Sequence, residues 1–90
     1  MKVEVLDVLL NTIEKVKKFT TFSNNFDCEI DVLQGKYIVD GRSIMGIFSL
    51  NLTDVVTVKI ESDDEKEIDR FLYMMEGFRQ WILWNQVLKF

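Results

Sequence analysis

The hydrophobic positions of this 90-residue chain change period several times, and each change marks an element. From Lys2 to Asp7 charged and apolar residues alternate, with Val3 and Val5 on one side, and the apolar run continues from Leu6 to Leu10. That spacing predicts a strand entering an apolar turn. Asn11-Thr12-Ile13-Glu14 has the composition of a helix start: a capping side chain at Asn11 or Thr12, then a carboxylate in the first turn. Beyond it the period becomes helical. Ile13, Val16, Phe19, Thr20 and Ser23 fall on one stripe, Phe22 and Phe26 adjoin it, and Lys15, Lys17 and Lys18 face elsewhere, as in an amphipathic helix.

Ser23-Asn24-Asn25 interrupts that pattern, and period two returns from Asp27 to Leu33. Cys28, Ile30 and Val32 share one face of this strand; Asp27, Glu29 and Asp31 share the other, where charge discourages edge-to-edge association. Gln34-Gly35 turns the chain and Lys36 to Val39 returns as the second strand of a hairpin. After a tight turn at Asp40-Gly41 comes GRSIMGIFSL, residues 41–50, a short apolar helix opened by Ser43. Val55 to Ile60 is the most β-branched strand of the sequence. The last helix starts in the acidic run from Ser62 to Glu67, whose carboxylates complement the positive end of the helix dipole. Its core stripe is Ile68, Phe71, Leu72, Met75, Phe78 and Ile82. The order β-α-β-β-α-β-α predicts an α+β fold, with helices on one face of a four-stranded antiparallel sheet.

Composition narrows the function. The length suits one domain. A net charge of −4, from 11 Lys and Arg against 15 Asp and Glu, argues against nucleic acid as partner, because phosphate binding needs a basic surface. No apolar run is long enough to span a membrane, and Glu4 and Asp7 inside the first apolar run do not fit a signal peptide. A single cysteine, Cys28, excludes an intramolecular disulfide and points to a reducing, cytoplasmic setting; bracketed by carboxylates, it suits a structural role. Histidine is absent altogether, which removes the commonest general base and metal ligand and, with one cysteine, any Cys/His zinc site. The acidic cluster Asp63, Asp64, Glu65 and Glu67 is explained by the helix dipole rather than by a metal. Neither a cofactor, a metal nor a catalytic constellation is expected, and the chain is expected not to be an enzyme.

Ser43-Ile44-Met45-Gly46, two apolar residues and Ser49-Leu50 resemble the serine-site helix of HPr, the phosphocarrier of the bacterial sugar phosphotransferase system. The likeness runs through residues 2–76: a helix with Phe near its end, a hairpin with Gly35-Lys36 at its turn, the short helix, a Val56-Thr57-Val58 strand and an acidic-started last helix. It implies the open-faced β-sandwich of HPr for residues 1–76. HPr relays phosphate through a histidine at the start of its first helix, in a Gly-Ile-His-Ala-Arg-Pro pattern. The matching stretch here is Leu9 to Lys15, which puts Thr12 (or Asn11, if the register slips by one) at the histidine's position and Glu14 near the arginine's. A threonine ester would not release its phosphate again, asparagine is no nucleophile, and Glu14 adds negative charge where the phosphoryl group needs positive. The chain therefore resembles the histidine-less, Crh-like branch of the family, which keeps the serine and regulates rather than carries.

That resemblance implies regulatory phosphorylation on Ser43, which serves locally as a helix N-cap. It also implies that Arg42 pairs with the phosphate, and that protein partners dock on Arg42, Ile44, Met45, Ile47 and Phe48. An HPr kinase/phosphorylase-like enzyme or a transcriptional regulator is the partner type implied. Residues 77–90 extend past the family's usual end as a helical, Trp-rich continuation of the last helix. Trp81, Trp84, Leu88 and Phe90 make a second apolar stripe there, too costly to leave exposed. It is expected to bury against a second copy, giving a homo-oligomer through Trp81, Trp84 and Leu88, against a different partner, or over its own sheet. Two function classes follow: a regulatory interaction module, or an oligomeric scaffold that reuses the fold through this extension.

Overall fold

In the computed structural model, which describes residues 1–76, the chain runs β1 (Lys2–Val8), α1 (Ile13–Ser23), β2 (Glu29–Gln34), β3 (Tyr37–Asp40), α2 (Ile44–Phe48), β4 (Val56–Ser62) and α3 (Glu65–Glu76). The strands form one antiparallel sheet in the order β1-β4-β2-β3. The order follows from β4, the most β-branched strand, taking the centre between β1 and β2. Successive rows alternate between the two faces. Leu6, Val58, Val32 and Val39 stand opposite one another in one row, and Val5, Lys59, Asp31 and Asp40 in the next. Val8, Ile30, Val32, Val56, Val58 and Ile60 are buried beneath the helices, and no helix of the described residues covers the other face.

The register decides which side of β1 meets the core. Val3 and Val5, the valines of the alternating stretch, point to the open face, because Val5 sits opposite Lys59 and Val3 opposite Glu61. Leu6 and Val8 supply the core side instead. Strand ends shift slightly from the sequence reading, β2 starting at Glu29 and β4 running on to Ser62.

Helix α1 buries Val16, Phe19, Thr20, Phe22 and Ser23. Ile13, expected on this stripe, is 64% exposed: it holds the first helical position, a turn ahead of Val16, where the helix first meets the core. Helix α3 buries Ile68, Phe71 and Met75, with Leu72 half-buried; Phe78 and Ile82 lie outside the described residues. Its start is capped as the acidic run predicts, Asp64 Oδ1 accepting from Lys66 N–H at 2.9 Å. Between α1 and α3 lies a phenylalanine cluster. Phe71 stands edge-on to Phe22 and Phe26 at centroid distances of 5.3 and 5.6 Å, a geometry that adds to what burial of the rings contributes.

The hairpin turn is closed by Gly35 at φ +59°, a conformation that favours glycine. Gln34, just before it, fixes the loop beyond α2: its amide donates to the Asn51 and Val55 carbonyls at 2.7 and 3.2 Å and accepts from Asn51 N–H at 2.8 Å. That clamp sets where α2 ends and β4 begins.

Candidate functional site

The site is built on two helix starts. Thr12, which the resemblance aligns (with Asn11 as the alternative) to the relay histidine, is the N-cap of α1; its Oγ1 accepts from Lys15 N–H at 3.1 Å. Asn11 is exposed beside it, its Oδ1 accepting from the Lys15 ammonium at 2.9 Å. Both side chains are thus engaged in fixing the helix start, and neither is an imidazole. Glu14 pairs with Lys18 one turn on, at 3.1 Å on the surface.

Ser43 is the N-cap of α2, with extended φ/ψ and its Oγ accepting from Gly46 N–H at 3.0 Å. Packing around this glycine is tight. A Cβ at Gly46 would lie 3.0 Å from Ser43 Oγ and 3.2 Å from Val39 Cβ, so the capping hydroxyl and the strand below both press on this position. Gly41 answers to a second close approach: its N–H donates to Ile30 O at 2.8 Å, and a Cβ there would meet Ile30 Cγ2 at 2.7 Å. The spacing Gly-x-Ser-x-x-Gly therefore serves the seating of α2 against β2 and β3.

The Arg42 guanidinium is engaged by main-chain carbonyls and a carboxylate. One guanidinium nitrogen donates to Phe26 O at 2.6 Å and to Cys28 O, and another faces Asp40 Oδ1 at 3.5 Å. Asp40 Oδ1 also accepts from Arg42 N–H at 2.8 Å. Arg42 thus ties the start of α2 to the α1–β2 connection. Ile47, expected on the docking face, is fully buried in the core and is corrected to a core residue. Ile44 is half-buried against the core, whereas Met45 is 77% exposed and Phe48 40% exposed. Helix α2 packs against α1, whose Ile13 is the further exposed apolar residue that a helical stripe assigned inward. Its place directly after the cap was the available signal. Trp81, Trp84 and Leu88 lie outside the described residues.

Away from these helices, burial pushes the Cys28 thiol up to about 11, with the hydrogen bond and charge of Glu67 adding to the effect. At neutral pH it is a protonated thiol and no nucleophile. Among the described residues no group of three acidic or sulfur side chains is arranged to hold a metal, and no helix is long and apolar enough to cross a membrane.

A family model described as the PTS HPr component phosphorylation site matches residues 14–77. The chain belongs to the HPr family. The four-stranded sheet and three helices are those of its solved members. HPr-C-His from Thermoanaerobacter tengcongensis is similar at 26% identity and TM-score 0.64, over 86% of this chain and 93% of that one. The phosphocarrier protein HPr from Bacillus anthracis str. Ames has the same fold, at 24% identity and TM-score 0.58, over 78% of this chain and 90% of that one. No curated protein matches the sequence. The chain therefore has the HPr-like phosphocarrier fold of the phosphotransferase system, with threonine where the resemblance places that family's relay histidine.

Proposed function

We propose that this chain is a regulatory, non-catalytic protein-interaction member of the HPr family, acting in the cytoplasm of a bacterium and not relaying phosphate itself. One observation carries the reading: the sequence has no histidine, and Thr12 (or Asn11), where the resemblance places the relay residue, spends its side chain on the start of α1, while Ser43 keeps its cap geometry on α2. A threonine hydroxyl cannot form the labile phosphoramidate that a relay requires. Ser43, half-buried at the start of α2, accepts a regulatory phosphate from an HPr kinase/phosphorylase-like enzyme. Charge at a helix start meets the dipole and unpaired N–H groups favourably.

The docking surface is the exposed part of the same region. Met45 and Phe48, with Ile13 on the adjoining helix, expose apolar area that the core does not use, and a protein partner, such as a transcriptional regulator, covers it. The test is incubation of the full chain with an HPr kinase and ATP, followed by intact mass. One added phosphate that disappears in Ser43→Ala is expected; no phosphate, or phosphate retained in Ser43→Ala, overturns the assignment. The alternative, an oligomeric scaffold assembled through Trp81, Trp84 and Leu88, rests on the apolar composition of the extension and predicts a mass that rises with concentration.

A further inference from the structure

The sheet has one face without a partner among the described residues, and that face has a defined chemistry. On β1 it presents Val3 and Val5, the latter 57% exposed, and on β3 Ile38, also exposed. Between and around them stand the carboxylates of Asp7, Glu29, Asp31, Asp40 and Glu61, with Lys59 the one ammonium in these rows. Asp7 accepts from Thr57 Oγ1 at 2.7 Å across the strands, and Lys59 pairs with Glu61 at 3.1 Å. The face is therefore apolar along its β1 edge and strongly acidic overall. The Asp31 carboxyl is held above the usual carboxylate range, first by burial and further by Asp40 and Glu61, which Lys59 only partly offsets.

The sequence contains one segment of opposite character. Residues 77–90, GFRQWILWNQVLKF, carry Arg79 and Lys89 and no acidic residue, and both tryptophans of the chain, Trp81 and Trp84, lie in them. They follow directly on α3, which packs against β4 and the edge strand β1. An extended chain of this length reaches up to ~45 Å at about 3.3 Å per residue, more than is needed to round an edge strand. The other candidate seat is the groove of about 460 Å³ between α1 and α3, lined by Lys17, Lys18, Thr21, Phe22, Asn25 and Met74. Its lysines, Lys18 being paired with Glu14, disfavour a segment whose two charged side chains, Arg79 and Lys89, are positive, so charge favours the open face. A segment on the same chain also meets its own sheet at a higher effective concentration than a second copy's.

We propose that residues 77–90 pass around the β1 edge and cover the open face of their own sheet, seating aromatic side chains on Val3 and Val5 and placing Arg79 and Lys89 among the carboxylates. The HPr-like domain then ends as a three-layer unit, helices, sheet and extension. This is independent of Ser43, which lies on the helical side.

Because Trp81 and Trp84 are the only tryptophans, tryptophan emission reports on this segment alone. In the full chain, emission blue-shifted from exposed indole, with acrylamide quenching below that of free tryptophan and unchanged on dilution, is expected. Val5→Lys, checked for an unchanged fold by circular dichroism, should shift emission to the red and raise quenching; Thr21→Arg, which fills the groove between α1 and α3, should change neither. Free-indole emission in the unaltered chain overturns the proposal, as does quenching indifferent to Val5→Lys. Protection lost in Thr21→Arg assigns the segment to the groove instead. Protection that falls on dilution together with the mass from light scattering assigns it to a second copy, and likewise overturns the proposal.

Discussion

Replacing Arg42 by alanine separates the clamp from a phosphate-binding role. The guanidinium is only 25% exposed and donates to two main-chain carbonyls, Phe26 O and Cys28 O, that lie outside regular secondary structure. Hydrogen bonds from a charged donor contribute about 1.5–3 kcal/mol each, and removal leaves the acceptors to find water. Partial exposure lets water repair some of the loss, and the 3.5 Å pair with the mostly exposed Asp40 adds little. The net cost expected is about 2–4 kcal/mol, a drop of roughly 10 °C or more in Tm for a domain of this size. Arg42→Lys should recover less than half, because one ammonium lacks the planar fork that serves both carbonyls and Asp40 together. Urea unfolding followed by far-ultraviolet circular dichroism measures both variants. A loss under about 0.5 kcal/mol in Arg42→Ala, the usual range for an unengaged surface residue, refutes the clamp.

Gly41→Ala should destabilise by about 1–3 kcal/mol, the reverse of the usual entropic gain from such a change, because the new Cβ at 2.7 Å from Ile30 Cγ2 forces the turn off β2; equal or higher stability in the same urea assay contradicts that close approach. Cys28 should alkylate with iodoacetamide at pH 8 at least about tenfold more slowly than a free cysteine, since its thiol titrates at about 11 in place of 9.0. The same shift has a sign in stability: the folded state holds the proton more tightly than the unfolded one, so stability is intact below pH 9 and declines as pH rises toward 11. Unfolding titrations of the native chain and of Cys28→Ser across that window should differ, and identical alkaline losses in both argue against it.

The element order was legible because each element has its own period and its own punctuation. Asn24-Asn25, Gly35 and the acidic run before Glu65 each fall where a helix or strand begins or ends. Face assignment was less legible. Alternation on β1 reads Val3 and Val5 as one side without saying which, and only pairing with β4 turns that side outward. Likewise, Ile13 obeys the helical stripe, but a stripe carries no record of where along the helix the core starts. The Arg42 clamp was not legible because its acceptors, Phe26 and Cys28, are main-chain carbonyls distant in sequence, and carbonyls leave no mark in side-chain pattern.

That last point bears on what the serine motif means. Four residues of the 41–46 motif have a local packing reason: Gly41 for Ile30, Arg42 for the α1–β2 carbonyls, Ser43 for the cap and Gly46 for Ser43 and Val39. A chain could keep them for the fold alone, so their presence identifies the family more firmly than any activity. The residues that packing does not explain are the informative ones. Met45 is 77% exposed at the second position of α2, whose inner side is filled by Ile47, and among the described residues no core contact asks for an apolar side chain there. A thioether in water at that position is neutral for folding and favourable for docking. The case for a partner on α2 therefore rests on Met45, Phe48 and Ile13, and the case for a phosphate on Ser43 stands or falls separately, by chemistry at one hydroxyl.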